Sequence, residues 1–184
     1  VVQTSEIKNI FKKFVIQKKI TIIPNSIKNL KEYKNIKKDK SILRVLFLGR
    51  LEYQKGVDII LEAIRKISHR KTKNKFIFEI VGDGSLKKIV ESEIKSKKLK
   101  NYVNFINGTN NPNKFIRNSD ILLHPSRYEG MSNVVLEAMS FGKCVISTYE
   151  ASSEIITNYK NGLLMKEITS EEIIKNLEII LEKQ

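Results

Sequence analysis

Arg50 and Lys55 stand in Gly49-Arg50-Leu51-Glu52-Tyr53-Gln54-Lys55-Gly56, between an apolar run and an amphipathic one. A strand ending at Gly49 and a helix starting after Gly56 put Arg50 at a strand's carboxyl end and Lys55 at a helix's amino end. The helix macrodipole already favours negative charge there, so a lysine is locally mismatched. Two cations converging on such a place suit an anion; alternatively each pairs with Glu52 or Asp58, or faces water. Further along, His124 to Ile146 reads HPSRYEGMSNVVLEAMSFGKCVI. Ser132 or Asn133 can cap a helix whose body, Val134-Val135-Leu136-Glu137-Ala138-Met139, is apolar almost all round, so the helix and Glu137 with it are expected to be buried. A buried carboxylate is costly unless bonded, so a protein donor or a ligand's hydroxyls must reach Glu137. Glu129 lies eight positions earlier, just ahead of the helix, and Gly130 after it permits close backbone approach. That loop, with the free N–H groups of the helix start, forms a second surface suited to phosphate.

Other chemistries lack their residues. Gly82-Asp83-Gly84-Ser85 begins like a dinucleotide fingerprint, but the third glycine position is Lys87. The segment reads instead as a strand-to-helix turn whose glycines let the backbone approach something closely. No Gly-Lys-Ser/Thr sequence occurs, and no Asp-x-Asp pair is present to hold a metal on a diphosphate. His69 lies in a basic run and His124 at a strand end, and both read as structural or solvated, without a Ser-His-Asp or metal arrangement nearby. Cys144 reads as a small buried hydrophobe in an apolar strand, and a lone cysteine makes neither an internal disulfide nor a zinc cage.

The elements that must position these residues follow from periodicity. Residues 42–48, 76–81, 102–106, 121–124 and 144–147 are short, branched and apolar, and they read as buried strands. Between them Val57, Ile60, Leu61, Ile64 and Ile67 share one helical face, and Leu86, Ile89, Val90 and Ile94 repeat the device; residues 171–181 do so again. Strict alternation with near-continuous apolar strands predicts an α/β fold, a Rossmann-like doubly wound parallel sheet covered on both faces. In such sheets ligands bind outside the strands' carboxyl ends, in the loops that begin here at Gly49, Gly82, Asn107, Pro125 and Thr148.

Composition bounds the rest. A chain of 184 residues with 41% hydrophobic content can bury a core, which excludes global disorder. Residues 1–41 fit the repeat poorly: 7–16 could form an amphipathic helix, 20–24 a short strand, and 28–40 is a charged stretch. They read as a lead-in or linker from something upstream of Val1, with residues 42–184 as the ligand-binding domain. The formal charge of +14 comes mostly from lysine, since only six of the 34 basic residues are arginine. No segment approaches the roughly 20 apolar residues of a membrane span, and a reducing, cytoplasmic setting follows most simply.

With these motifs in place, the sequence resembles the donor-binding, C-terminal half of a family-4 retaining glycosyltransferase of the GT-B type. The resemblance covers nearly the whole chain. It rests on Ile22-Ile23-Pro24-Asn25-Ser26, Gly49-Arg50-Leu51 with Lys55-Gly56, Val81-Gly82-Asp83-Gly84 and Asn118-Ser119-Asp120. It culminates in Pro125-Ser126-Arg127-Tyr128-Glu129-Gly130 and the Glu, seven residues, Glu spacing that ends in Leu136-Glu137-Ala138-Met139. By resemblance Arg50 and Lys55 bind the donor diphosphate, Glu137 bonds the nucleotide ribose and Glu129 contacts the transferred sugar. Gly130, Met131, Ser132 and Asn133 reach sugar and phosphates through the backbone, and Phe105, Ile106 and Asn107 border the nucleobase, with Gly82 also at the site. The family implies a nucleotide sugar, UDP-linked hexose or N-acetylhexosamine, as substrate, with neither metal nor cofactor. It also implies a glycan or lipid-linked acceptor held by an N-terminal domain and a role in surface polysaccharide assembly; separately, the lysine surplus suits peripheral contact with anionic lipid on the inner face of the cell membrane. One departure stands out: Thr148-Tyr149-Glu150-Ala151-Ser152-Ser153-Glu154-Ile155 is shorter than the family's segment and has no glycine.

Two rival functions remain from the residues themselves. A nucleic-acid-binding module suits the +14 charge, but the lysines are scattered, arginines are few and no aromatic interleaving appears. A nicotinamide-dependent oxidoreductase rests on the sheet alone, without the completed glycine motif or an acidic ribose binder.

Overall fold

Strands made of branched and aromatic residues on both faces need cover on both faces, and the computed structural model supplies it. It describes residues 1–14, 20–27, 42–70, 75–96 and 99–183; the expected charged stretch at 28–40 and the end of the 7–16 helix lie outside them. Six parallel strands form one sheet: β1 (Leu43–Leu48), β2 (Phe76–Gly82), β3 (Val103–Asn107), β4 (Ile121–His124), β5 (Cys144–Thr148) and β6 (Leu163–Met165). Their order is β3-β2-β1-β4-β5-β6, so chain direction across the sheet reverses between β1 and β4. That is the topological switch point of a doubly wound sheet, where a crevice opens at the carboxyl ends. In register, Val45 and Leu46 face Ile121 and Leu122 across it.

Alternation along each strand divides the core into two layers. Val45, Phe47, Phe78, Ile80, Ile121, Leu123 and Ile146 pack on one face against α2 (Val57–Ser68), α3 (Lys87–Ser96) and α7 (Ser170–Glu182). Leu46, Val81, Leu122 and Val145 pack on the other against α4 (Pro112–Asn118) and α5 (Asn133–Ser140). The α2 stripe is buried as its period predicts, and fully buried residues such as Ile60 and Ile64 each contribute about 1.5–3 kcal/mol of transfer free energy. Ile89 departs from expectation: it lies beside the Leu86, Val90, Ile94 ladder of α3 and faces water.

Three elements are too short to announce themselves by period: β6, α4 and α6 (Tyr149–Ser152). α4 carries a start signal nonetheless, with Asn111 accepting from the Lys114 N–H and Pro112 at the first turn. The lead-in also takes shape. α1 (Ser5–Phe11) is capped by Thr4, and the expected strand at 20–24 is a single parallel bridge between Ile22 and Val2. Among the described residues no helix is long and apolar enough to cross a membrane.

Candidate functional site

The turn after β1 is shaped from below. Leu51 is fully buried, and its backbone is held on both sides by the turn after β2: its N–H donates to the Asp83 carbonyl at 2.8 Å and its carbonyl accepts from Leu86 at 2.9 Å. Glu52 accepts from the Ser85 N–H and hydroxyl, which hold its carboxyl below the usual range. Burying Leu51 leaves Arg50 exposed at the strand's end. A Cβ at Gly82 would stand 1.9 Å from the Gly49 carbonyl oxygen. The glycine at 82 is thus required by the close approach of the turn after β1, at Gly49.

A single 3₁₀ turn, Tyr53–Lys55, then leads through Gly56 into α2. Gly56 is left-handed at φ 72°, and a Cβ there would lie 2.2 Å from the Pro125 carbonyl oxygen. The contact locks the turn after β1 onto the loop after β4, on the two sides of the switch point. Arg127 reinforces it, its guanidinium gripping both Asp58 oxygens at 2.9 and 2.7 Å and lying 3.6 Å over the Tyr53 ring. Asp58 thus pairs with Arg127 rather than with Arg50 or Lys55, and Glu52 is taken by Ser85.

Lys55 turns inward, with a side chain 16% exposed, and pairs with Glu129, which is 13% exposed. The same Glu129 Oε1 lies 3.6 Å from Nε2 of His124, which is buried to 3% and has no hydrogen bond at that nitrogen. Burial first, then the Lys55 charge, pushes the His124 imidazole down to about 4, with Glu129 opposing. His124 is the residue that sequence reasoning passed over; its signal was its place at the end of β4, a strand whose four residues are all buried.

At the start of α5, Ser132 occupies the cap position but makes no capping hydrogen bond. The expected cap is therefore absent from the helix amino end. Asn133 instead accepts from the Asn25 amide at 2.8 Å, and the same amide donates to the Met131 carbonyl at 2.9 Å. The Ile-Pro-Asn segment of the lead-in thereby ties down the loop in front of α5. Gly130 faces the lead-in as well, since a Cβ there would meet Gln3 Oε1 at 2.9 Å and Ile7 Cδ1 at 3.4 Å. The glycine-free segment after β5 takes part too: Glu154 accepts from the N–H groups of Ser5 and Glu6 at 2.9 and 2.8 Å, holding α1 over this edge.

Glu137 is more open than a helix apolar almost all round suggests. A helix resting on one sheet face buries only the stripe that meets it, so Val135 and Ala138 are fully buried and Glu137 is half-buried. Burial alone raises its carboxyl, and no hydrogen bond or ion pair from the described residues reaches it. Phe105, Ile106 and Asn107 end the edge strand β3, with Asn107 in register with Gly82. Phe105 packs into the α2-side core and Ile106 into the opposite one, so alternation prevents both side chains from lining one site. Burial pushes the Cys144 thiol up, away from nucleophilic use.

The Lys55–Glu129 pair thus lies at the switch point of a doubly wound sheet, where such folds form their ligand crevice. The family model described as "Glycosyl transferases group 1" matches residues 26–184, and the chain belongs to that family. An uncharacterized glycosyltransferase of Methanocaldococcus jannaschii is 32% identical over 161 residues, covering 80% of this chain and 39% of that protein. The Campylobacter jejuni enzyme named as adding an α-1,4-N-acetyl-D-galactosaminyl group to a diphosphoundecaprenol-linked glycan is 31% identical, covering 74% and 38%. In structure, a mutant of S. aureus TarM in complex with Fondaparinux, alpha-GlcNAc-glycerol and UDP superposes with a TM-score of 0.80 at 23% identity, covering 96% of this chain and 36% of that one. The fold is accordingly that of one half of a GT-B glycosyltransferase. The chain spans about two-fifths of the length of these curated relatives.

Proposed function

We propose that this chain is the donor-binding, C-terminal domain of a retaining family-4 glycosyltransferase. The observation that carries the reading is the Lys55–Glu129 pair at the switch point, with Arg50 exposed at the end of β1 and, on α5, a half-buried Glu137 carboxylate that no protein group satisfies among the described residues. Arg50 and Lys55 meet the donor diphosphate, and the uncapped N–H groups of α5 add to them. Ribose hydroxyls donate to Glu137, and Glu129 addresses the sugar once Lys55 has turned to phosphate. Their joint effect is electrostatic stabilisation of the departing nucleoside diphosphate, without metal or cofactor. The donor is a UDP-linked hexose or N-acetylhexosamine, and the acceptor a glycan or lipid-linked glycan presented by an N-terminal domain. The names of the Campylobacter and S. aureus proteins support that choice. The surplus of lysine suits a protein that works against anionic lipid, at about 1 kcal/mol for each basic residue held at the surface.

Calorimetry against a panel of nucleotides and nucleotide sugars tests the reading. A UDP-sugar should bind; Glu137→Ala should lose the response and Lys55→Ala weaken it. Affinity unchanged in both variants would place the site elsewhere.

A further inference from the structure

Glu129 has two cationic candidates at the same carboxylate oxygen, and the structure pairs it with one. Lys55 comes from the turn after β1, on one wall of the crevice; His124 comes from β4, beneath the loop that carries Glu129. At 3.6 Å the His124 Nε2 to Glu129 Oε1 separation lies just beyond hydrogen-bond reach, and Nε2 is enclosed with no other partner. The charged groups that bear on this imidazole are Glu129 and Lys55; from β5 its register partner is Ser147, whose hydroxyl donates to the His124 carbonyl and does not titrate. A diphosphate that draws Lys55 away strips Glu129 of its ion pair while leaving it largely buried, which is costly without a replacement.

The geometry points to His124 as that replacement: as Lys55 turns to the donor diphosphate, His124 takes up one proton from solvent and donates its Nε2–H to Glu129 Oε1. His124 is then a positioning residue, holding the sugar-facing carboxylate in place and charged through donor binding, and donor binding is coupled to the uptake of one proton. The inference rests on the donor-site reading for its trigger, but the exchange between the two partners of Glu129 does not. Losing the Lys55 charge removes one cause that holds the imidazole neutral, and the remaining Glu129 charge favours the imidazolium.

The chain has only two histidines, so isotope-labelled histidine NMR resolves the His124 ring from that of exposed His69. In the native chain His124 should stay neutral across the range in which an unperturbed imidazole titrates, about pH 6–7. In Lys55→Ala, with no ligand added, the His124 midpoint should move up toward that range; a His124 unmoved by Lys55→Ala overturns the proposal. With saturating UDP-glucose, whose pyrophosphate does not titrate near neutrality, His124 should protonate in the native chain. The dissociation constant should fall by up to tenfold for each pH unit of acidification across that window. UDP-glucose bound tightly over a neutral His124 overturns the proposal, as does the same proton uptake in His124→Asn, which would assign the proton to Glu129. Failure of both UDP-glucose and UDP-N-acetylglucosamine to bind sinks the donor reading instead, and the Lys55→Ala titration still decides the exchange at Glu129.

Discussion

Replacing Gly56 by alanine perturbs the joint between the two loops of the site, and the structure fixes its size. Gly56 is left-handed at φ 72°, where an L side chain costs about 1–2 kcal/mol. The new Cβ would also sit 2.2 Å from the Pro125 carbonyl oxygen, a backbone atom that no rotamer change can move, which adds the overpacking cost of about 1–3 kcal/mol. The expected total is about 2–5 kcal/mol. Gly142 supplies the control: it is left-handed at φ 65°, yet a Cβ there would find nothing within 4 Å, so Gly142→Ala should lose only the conformational part, about 1–2 kcal/mol. Urea unfolding followed by circular dichroism measures both. With a slope of about 2 kcal/mol per molar, the midpoint should fall by about 1–2.5 M for Gly56→Ala and about 0.5–1 M for Gly142→Ala. Equal losses in the two variants would refute the Pro125 contact. An unshifted Gly56→Ala would refute the left-handed turn itself. Donor affinity should fall in Gly56→Ala alone, because Pro125 begins the loop that carries Glu129.

Two further outcomes follow from the same geometry. Asn25→Asp removes both amide donations to the loop ahead of α5 and should raise the donor dissociation constant several-fold with a stability loss of only about 1 kcal/mol, checked by calorimetry and denaturation side by side. Acid should destabilise the chain through His124: the unfolded imidazole takes a proton below 6.5 while the folded one resists until about 4, so stability falls as pH drops across that window. The loss reaches about 3 kcal/mol at its acid end, and the difference between native chain and His124→Asn in denaturation at a series of pH values isolates it.

Much of this was legible in the residues. Branched runs gave five of the strands, because a strand buried on both faces must be apolar throughout, and the α2 stripe gave its helix because seven of its positions are buried. Arg50 and Lys55 were named from their places at a strand end and a helix start, Glu129 from the loop ahead of α5, and Glu137 from its place in an apolar helix body. What escaped was short or distant. β6 has three residues and α6 four, too few to show a period. Asp58 and Arg127 lie 69 positions apart, and nothing local says that they meet; nor does anything local say that Glu154 caps α1 across 149 positions.

The sequence by itself determined the alternating elements, the parallel sheet and the kinds of residue gathered at its carboxyl ends, since these depend on periodicity and on side-chain chemistry within a few positions. Tertiary structure decided the pairing: Lys55 with Glu129, Arg127 with Asp58, Asn25 with the loop before α5, and Gly82 with a neighbouring turn. It also decided burial, leaving Glu137 half-open because α5 meets the sheet along one stripe, and enclosing His124 because all of β4 is covered. Pairing and burial are set by which strands become neighbours in space, and it is the reversal between β1 and β4 that brings two distant loops to one crevice.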